Sequence, residues 1–150
     1  MTLDESTAAV SVLIVDDDQY VRDILSRWLS AAGYRTQQAE HSRAGLDAMA
    51  RDEPAVAMCD VEMPGPNGVW LIGQLRQKFP NVGVVLCTGV DSVAPDVSMQ
   101  GGVVAYVLKP FQRPQVLAAV ARAAEWHLAE VARGGPDPPR GGLDAWLDAE

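Results

Sequence analysis

Ala55-Val-Ala-Met-Cys-Asp60-Val-Glu62-Met-Pro-Gly-Pro66-Asn67-Gly68 runs from a short apolar stretch through one carboxylate into a segment rich in Pro, Gly and Asn. The apolar run reads as a buried strand and the segment after it as a loop, so Asp60 is expected at the strand's C-terminal tip. In an open parallel sheet, that edge is where ligands bind. An acid that merely solvates a strand end would be the simpler reading if Asp60 stood alone.

It does not stand alone. Upstream, Ser11 to Val15 is a continuous β-branched run that breaks into Asp16-Asp17-Asp18, the pattern of a strand buried on both faces. Val21, Ile24, Leu25, Trp28 and Leu29 then recur at helical spacing, and Gly33 suits a left-handed C-cap. Tyr34 to Ala39 is less apolar, as expected near a sheet edge, and a helix over about Ser42 to Arg51 is expected to bury Leu46 and Met49 before Pro54. Downstream, a helix beginning near Asn67 carries Leu71, Ile72, Leu75 and Phe79 on one face. Val82 to Cys87 is a fourth strand ending at Thr88-Gly89, and Val103 to Leu108 a fifth ending at Lys109-Pro110.

Between these two strands, Asp91 to Gln100 contains Pro95 and meets Gly101-Gly102, so it reads as a weak, short helix. The last helix is long: from Pro114, the residues Val116, Leu117, Val120, Ala121, Ala124, Leu128 and Val131 continue one face to about Arg133. Its end should overhang the sheet. Residues 1–10 read as a disordered N-terminus, 11–133 as one folded domain, and 134–150 as a linker-like tail. In that tail Leu143, Trp146 and Leu147 suggest a frayed end in preference to a docking peptide.

The 150 residues are 48% hydrophobic, enough for one domain with a sizeable core. A net charge of −8 and only two lysines, Lys78 and Lys109, argue against direct binding to nucleic acid or an anionic membrane. The acidic start lacks a signal peptide's basic segment, and no apolar run is long enough to span a bilayer. The reading is therefore cytoplasmic. Cys59 and Cys87 precede candidate site residues and are expected side by side on neighbouring strands as buried thiols, where disulfide geometry is poor.

Five alternations of strand and helix with short connections predict a doubly wound α/β fold with five helices, its parallel sheet covered on both faces. All strand tips then open on one edge, bringing together Asp16, Asp17, Asp60, Thr88 and Lys109. Clustered carboxylates repel one another, and a hard divalent cation such as Mg²⁺ is their natural counterweight. Lys109 and Thr88 would neutralise and hydrogen-bond phosphoryl oxygens, and Asp60 would serve as a carboxylate nucleophile.

Val12-Leu-Ile-Val-Asp16-Asp17-Asp18, Asp60-Val-Glu62-Met-Pro-Gly-Pro66-Asn67-Gly68, Cys87-Thr88-Gly89 and Tyr106-Val-Leu-Lys109-Pro110-Phe111, in this order and at these intervals, resemble the receiver domain of two-component response regulators. The resemblance covers about residues 10 to 125. It implies a flavodoxin-like fold with strand order 2-1-3-4-5 and a phosphorelay function. Asp60 matches the phosphoacceptor that takes a phosphoryl group from a sensor histidine kinase or phosphotransfer protein. Asp17 matches the direct Mg²⁺ ligand, Asp16 a ligand that often acts through water, and Glu62 a ligand through its backbone carbonyl. Lys109 matches the lysine that pairs with the acceptor and precedes a cis proline. Thr88 and Tyr106 match the coupled switch residues. Glu62 and Val90 occupy positions that tune hydrolysis of the aspartyl phosphate. A homodimer through the 91–100 helix, the strand at 103–108 and the last helix is a further implication, although the short 91–100 segment, Pro66 and Asn67 depart from the usual pattern.

By this reading the chain is a signalling module and no enzyme with separate substrate turnover. It is either a free-standing receiver or part of a longer regulator, since no DNA-binding or catalytic output domain fits in 134–150. Two rivals remain. One is a haloacid-dehalogenase-like phosphatase, whose first motif Asp16-x-Asp18 superficially fits. The other is an interaction module that works without phosphorylation. Asp18 itself reads as an N-cap, and His41 and His127 as solvated histidines.

Overall fold

The structure, a computed structural model, describes residues 10–65, 67–89 and 103–134. Five strands, β1 (Ser11–Val15), β2 (Arg35–Ala39), β3 (Val56–Asp60), β4 (Gly83–Thr88) and β5 (Val103–Leu108), form one parallel sheet in the order 2-1-3-4-5. Four helices lie among the described residues: α1 (Gln19–Ala31), α2 (Ser42–Asp52), α3 (Gly68–Lys78) and α4 (Arg113–Ala132). The fold is the expected flavodoxin-like α/β architecture. The helix expected at 91–100, the loop residues Pro66 and Val90, and the two chain ends fall outside the described residues.

The sheet sorts its side chains by strand alternation into two cores. Val12, Ile14, Met58, Val85, Cys87 and Val107 pack with Leu25 and Leu29 of α1 and with Val116, Val120 and Ala123 of α4. On the other face Leu13, Val15, Ala57, Cys59 and Leu86 pack with Met49 of α2 and with Leu71, Ile72 and Leu75 of α3. The central strands β1, β3 and β4 are buried along their whole length. The alternating exposure of β5 and the polar Arg35–Ala39 run identify the two edges.

Alternation also corrects the expected placement of the thiols. Cys59 and Cys87 are on neighbouring strands, yet they project into opposite cores, because Cys59 pairs in register with Leu86 and not with Cys87. Both are free. A second correction concerns α2, which turns Ser42, Gly45, Ala48 and Met49 inward and leaves Leu46 only partly buried. Small residues let this helix approach closely: a Cβ on Gly45 would stand 2.9 Å from a Val15 methyl group.

Helix ends follow local chemistry. Asp18 caps α1 by accepting the Tyr20 and Val21 amides, as expected for an acid at that position. Asn67 caps α3 through the Trp70 amide. The buried hydroxyl of Ser42 donates to the Asn67 carbonyl, tying the start of α2 to the start of α3. Helix α4 buries nothing beyond Ala124, and Leu128 and Val131 of its overhang are exposed. No described helix is long and apolar enough to cross a membrane.

Candidate functional site

Parallel register levels the strand tips. Val15 pairs with Cys59 and Asp60 with Cys87, so Asp16, one residue past β1, stands beside Asp60 at the end of the central strand. Thr88 pairs with Leu108, which places Lys109 just beyond β5 with its amide donating to the Thr88 carbonyl at 2.8 Å. Three carboxylates meet here: one oxygen from each of Asp16, Asp17 and Asp60 lies within 4.8 Å of the others.

Lys109 faces two of them. Its Nζ is 3.3 Å from Asp16 Oδ2 and 3.3 Å from Asp60 Oδ2. Asp16 and Asp60 are only 2% and 1% exposed, whereas Asp17 is open to solvent. The remaining oxygens of the buried pair are anchored by backbone amides: Asp18 N–H donates to Asp16 Oδ1 at 2.9 Å, and Glu62 N–H donates to Asp60 Oδ1 at 3.1 Å. Apart from the Lys109 ammonium, neither Oδ2 has a polar partner. Two buried carboxylate oxygens that share a single ammonium, beside an exposed third carboxylate, suit a hard divalent cation. The triad is thus able to hold a metal.

Burial dominates the electrostatics. Desolvation pushes the Asp60 carboxyl up to about 6, with repulsion from Asp16 adding to it and the Glu62 amide and the Lys109 ammonium working against it. Burial alone would lower Lys109, but the attraction of Asp16 and Asp60 outweighs it, and its pKa is raised. Lys109 therefore stays charged through the physiological range. The peptide bond between Lys109 and Pro110 is cis.

Thr88 is buried at the tip of β4, its hydroxyl donating to the Gly89 carbonyl at 3.0 Å. Tyr106 on β5 is 42% exposed, its ring turned away from the core. Glu62 enters through its amide, and Gly89 follows Thr88 directly. The two histidines are not merely solvated. His41 caps α2 by accepting the Ala44 amide on Nδ1, and His127 donates from Nδ1 to the Asn81 carbonyl at 2.8 Å. That second contact joins elements far apart in sequence and has no local signal.

Two residues that shape the site had no role assigned from sequence: Gly68, which closes the quoted motif, and Arg22. A Cβ on Gly68 would collide with the Asp60 carbonyl, so only glycine lets α3 begin against the backbone of Asp60. Arg22 is buried on α1 and donates from Nη1 to the Asp16 carbonyl at 2.7 Å. The apolar spacing of α1 offered no reason to look for a charge facing inward.

Residues 12–121 match the family described as response regulator receiver domain. The chain belongs to the response regulator receiver family. Receiver domains are signalling modules, and the acidic pocket at the tips of β1 and β3 is of the phosphoacceptor type. Among similar proteins, the chain is 34% identical over 129 residues to the response regulator protein FleR of Pseudomonas aeruginosa, covering 85% of this chain and 27% of FleR. It is 37% identical over 110 residues to the response regulator MprA of Mycolicibacterium vanbaalenii, covering 73% and 48% respectively. The chain therefore spans about half or less of the length of these relatives. A solved structure of the chemotaxis protein CheY4 of Vibrio cholerae superposes with a TM-score of 0.68 at 25% identity, covering 76% of this chain and 98% of that one.

Proposed function

We propose that Asp60 is the phosphoacceptor of this receiver and that Asp16, Asp17 and the Glu62 backbone carbonyl, with Asp60 itself, hold Mg²⁺. The observation that carries the reading is the pair of buried Oδ2 atoms of Asp16 and Asp60 that share one ammonium, Lys109 Nζ, at 3.3 Å from each. When bound, the cation supplies positive charge that neutralises phosphoryl oxygens. The donor would be the phosphohistidine of a sensor histidine kinase or phosphotransfer protein. An Asp60 carboxylate oxygen attacks phosphorus, the phosphorus–nitrogen bond breaks, and its electron pair returns to the imidazole. The product is an acyl phosphate on Asp60.

Lys109 holds its ammonium where the transferred group arrives, and the exposed approach past Asp17 and Gly89 leaves room for the donor. The phosphoryl group adds about 1.5 to 2 negative charges at this tip. Its oxygens draw the Thr88 hydroxyl from the Gly89 carbonyl, and the Tyr106 ring turns from solvent into the vacated space. The surface altered is that of β5 and α4, with the 91–100 segment, through which a homodimer would form. The folded unit is 11–133, acting in the cytoplasm where ATP-dependent kinases supply the phosphoryl group.

The test is mass spectrometry of the intact chain after incubation with acetyl phosphate and Mg²⁺. One phosphoryl group on the wild type, lost with hydroxylamine and missing from Asp60→Asn, is the expected result. Equal labelling of Asp60→Asn refutes the assignment, and multiple turnovers of p-nitrophenyl phosphate would favour a phosphatase instead.

A further inference from the structure

Arg22 is a buried guanidinium on the inner side of α1, and among the described residues it forms no ion pair. Its Nε donates to Gln38 Oε1 of β2 at 3.1 Å, and its Nη1 donates to the main-chain carbonyl of Asp16 at 2.7 Å. Gln38 is held in turn by donating to Asp23 Oδ1 at 3.2 Å. Desolvating a guanidinium for two neutral acceptors is unfavourable, and an apolar residue would fill the same space without that penalty.

The clamp acts on one peptide group. The Asp16 carbonyl belongs to the peptide joining Asp16 to Asp17, the two acids that precede α1. The Asp16 amide is held by the Ala39 carbonyl at 3.1 Å and Asp16 Oδ1 by the Asp18 amide at 2.9 Å. The Asp17 side chain makes no hydrogen bond or ion pair among the described residues, so no contact corrects its direction if the backbone that sets its Cα–Cβ bond turns. Rotation of the Asp16–Asp17 peptide would swing the Asp17 carboxylate out of the 4.8 Å cluster. A planar fork that bridges the β1 tip to β2 blocks that rotation, and a single flexible donor would do so less well.

We propose that Arg22 is a positioning residue for divalent-cation binding, locking the peptide between Asp16 and Asp17 so that both carboxylates face Asp60. This rests on the reading of Asp16, Asp17 and Asp60 as a cation site. The test uses the full chain and Mg²⁺ alone, titrated calorimetrically at neutral pH for wild type, Arg22→Gln and Arg22→Lys. Arg22→Gln is expected to bind Mg²⁺ about tenfold more weakly, and Arg22→Lys to recover part of that loss. The sign is decisive: deleting a positive charge near a cation site would by charge alone tighten binding. Equal or tighter binding in Arg22→Gln overturns the proposal. In the metal-free protein, amide exchange at Asp18 should quicken in Arg22→Gln while Ile14 in the core of β1 is unchanged; equal exchange at Asp18 also overturns it. If Arg22→Gln fails to fold, Arg22→Lys decides, and wild-type affinity there sinks the idea. Should the wild type bind no Mg²⁺, or bind it undiminished after Asp17→Asn, it is the cation-site reading that fails.

Discussion

Asp60→Asn should stabilise the metal-free protein. Asp60 and Asp16 are both almost wholly buried and aim Oδ2 at a single ammonium, so the tip of the sheet holds more negative than positive charge. Desolvation first, then repulsion from Asp16, lifts the Asp60 carboxyl from 3.8 to about 6. At about 1.4 kcal/mol for each tenfold change, ionised Asp60 costs the folded state up to about 3 kcal/mol. The folded-state value is the higher one, so the stability that protonation contributes is fully present below pH 3.8 and lost as pH rises through about 6. Asparagine keeps an oxygen for the Glu62 amide and removes the charge. The expected gain at pH 8 in EDTA is about 1 to 3 kcal/mol, falling to roughly half at pH 5. Urea unfolding followed by tryptophan fluorescence measures it. Mg²⁺ should stabilise the wild type by about 1.4 kcal/mol at tenfold excess over its dissociation constant and Asp60→Asn by less. An Asp60→Asn protein less stable than wild type at pH 8 without metal would refute the electrostatic account.

Gly83→Ala would drive a Cβ to 2.5 Å from the Ala123 carbonyl of α4; a loss of about 1 to 3 kcal/mol is expected in the same unfolding assay, with Mg²⁺ affinity unchanged. Gly68→Ala collides with the Asp60 carbonyl, so this variant should lose acyl-phosphate formation in the acetyl phosphate assay out of proportion to its loss of stability. Thr88→Ala should bind Mg²⁺ as the wild type does but form the acyl phosphate about tenfold or more slowly, read by rapid quench. Cys59, whose thiol burial pushes up to about 12, and Cys87, raised by the same cause, should ignore Ellman's reagent until urea unfolds the chain, and fast labelling in native buffer would contradict their burial.

Local sequence determined the elements and the identity of the strand-tip chemistry. Short apolar runs bounded by turn residues read as strands buried on both faces, as β1, β3 and β4 are, and acids, a hydroxyl and a lysine immediately after such runs are carried to one edge by parallel topology. Asp16, Asp17, Asp60, Thr88 and Lys109 were legible for that reason, and so was the capping role of Asp18. Other features depend on what lies across the fold from a residue, which period and propensity do not encode. The alternation of paired strands sent Cys59 and Cys87 into opposite cores. A backbone contact reserved position 68 for glycine, and a long-range hydrogen bond fastened His127 to Asn81. Arg22 looks in sequence like any polar residue on an amphipathic helix. Only the packing of α1 against β1 and β2 turns its guanidinium inward onto the Asp16 carbonyl, because burial and partner are properties of the assembled sheet and helices together.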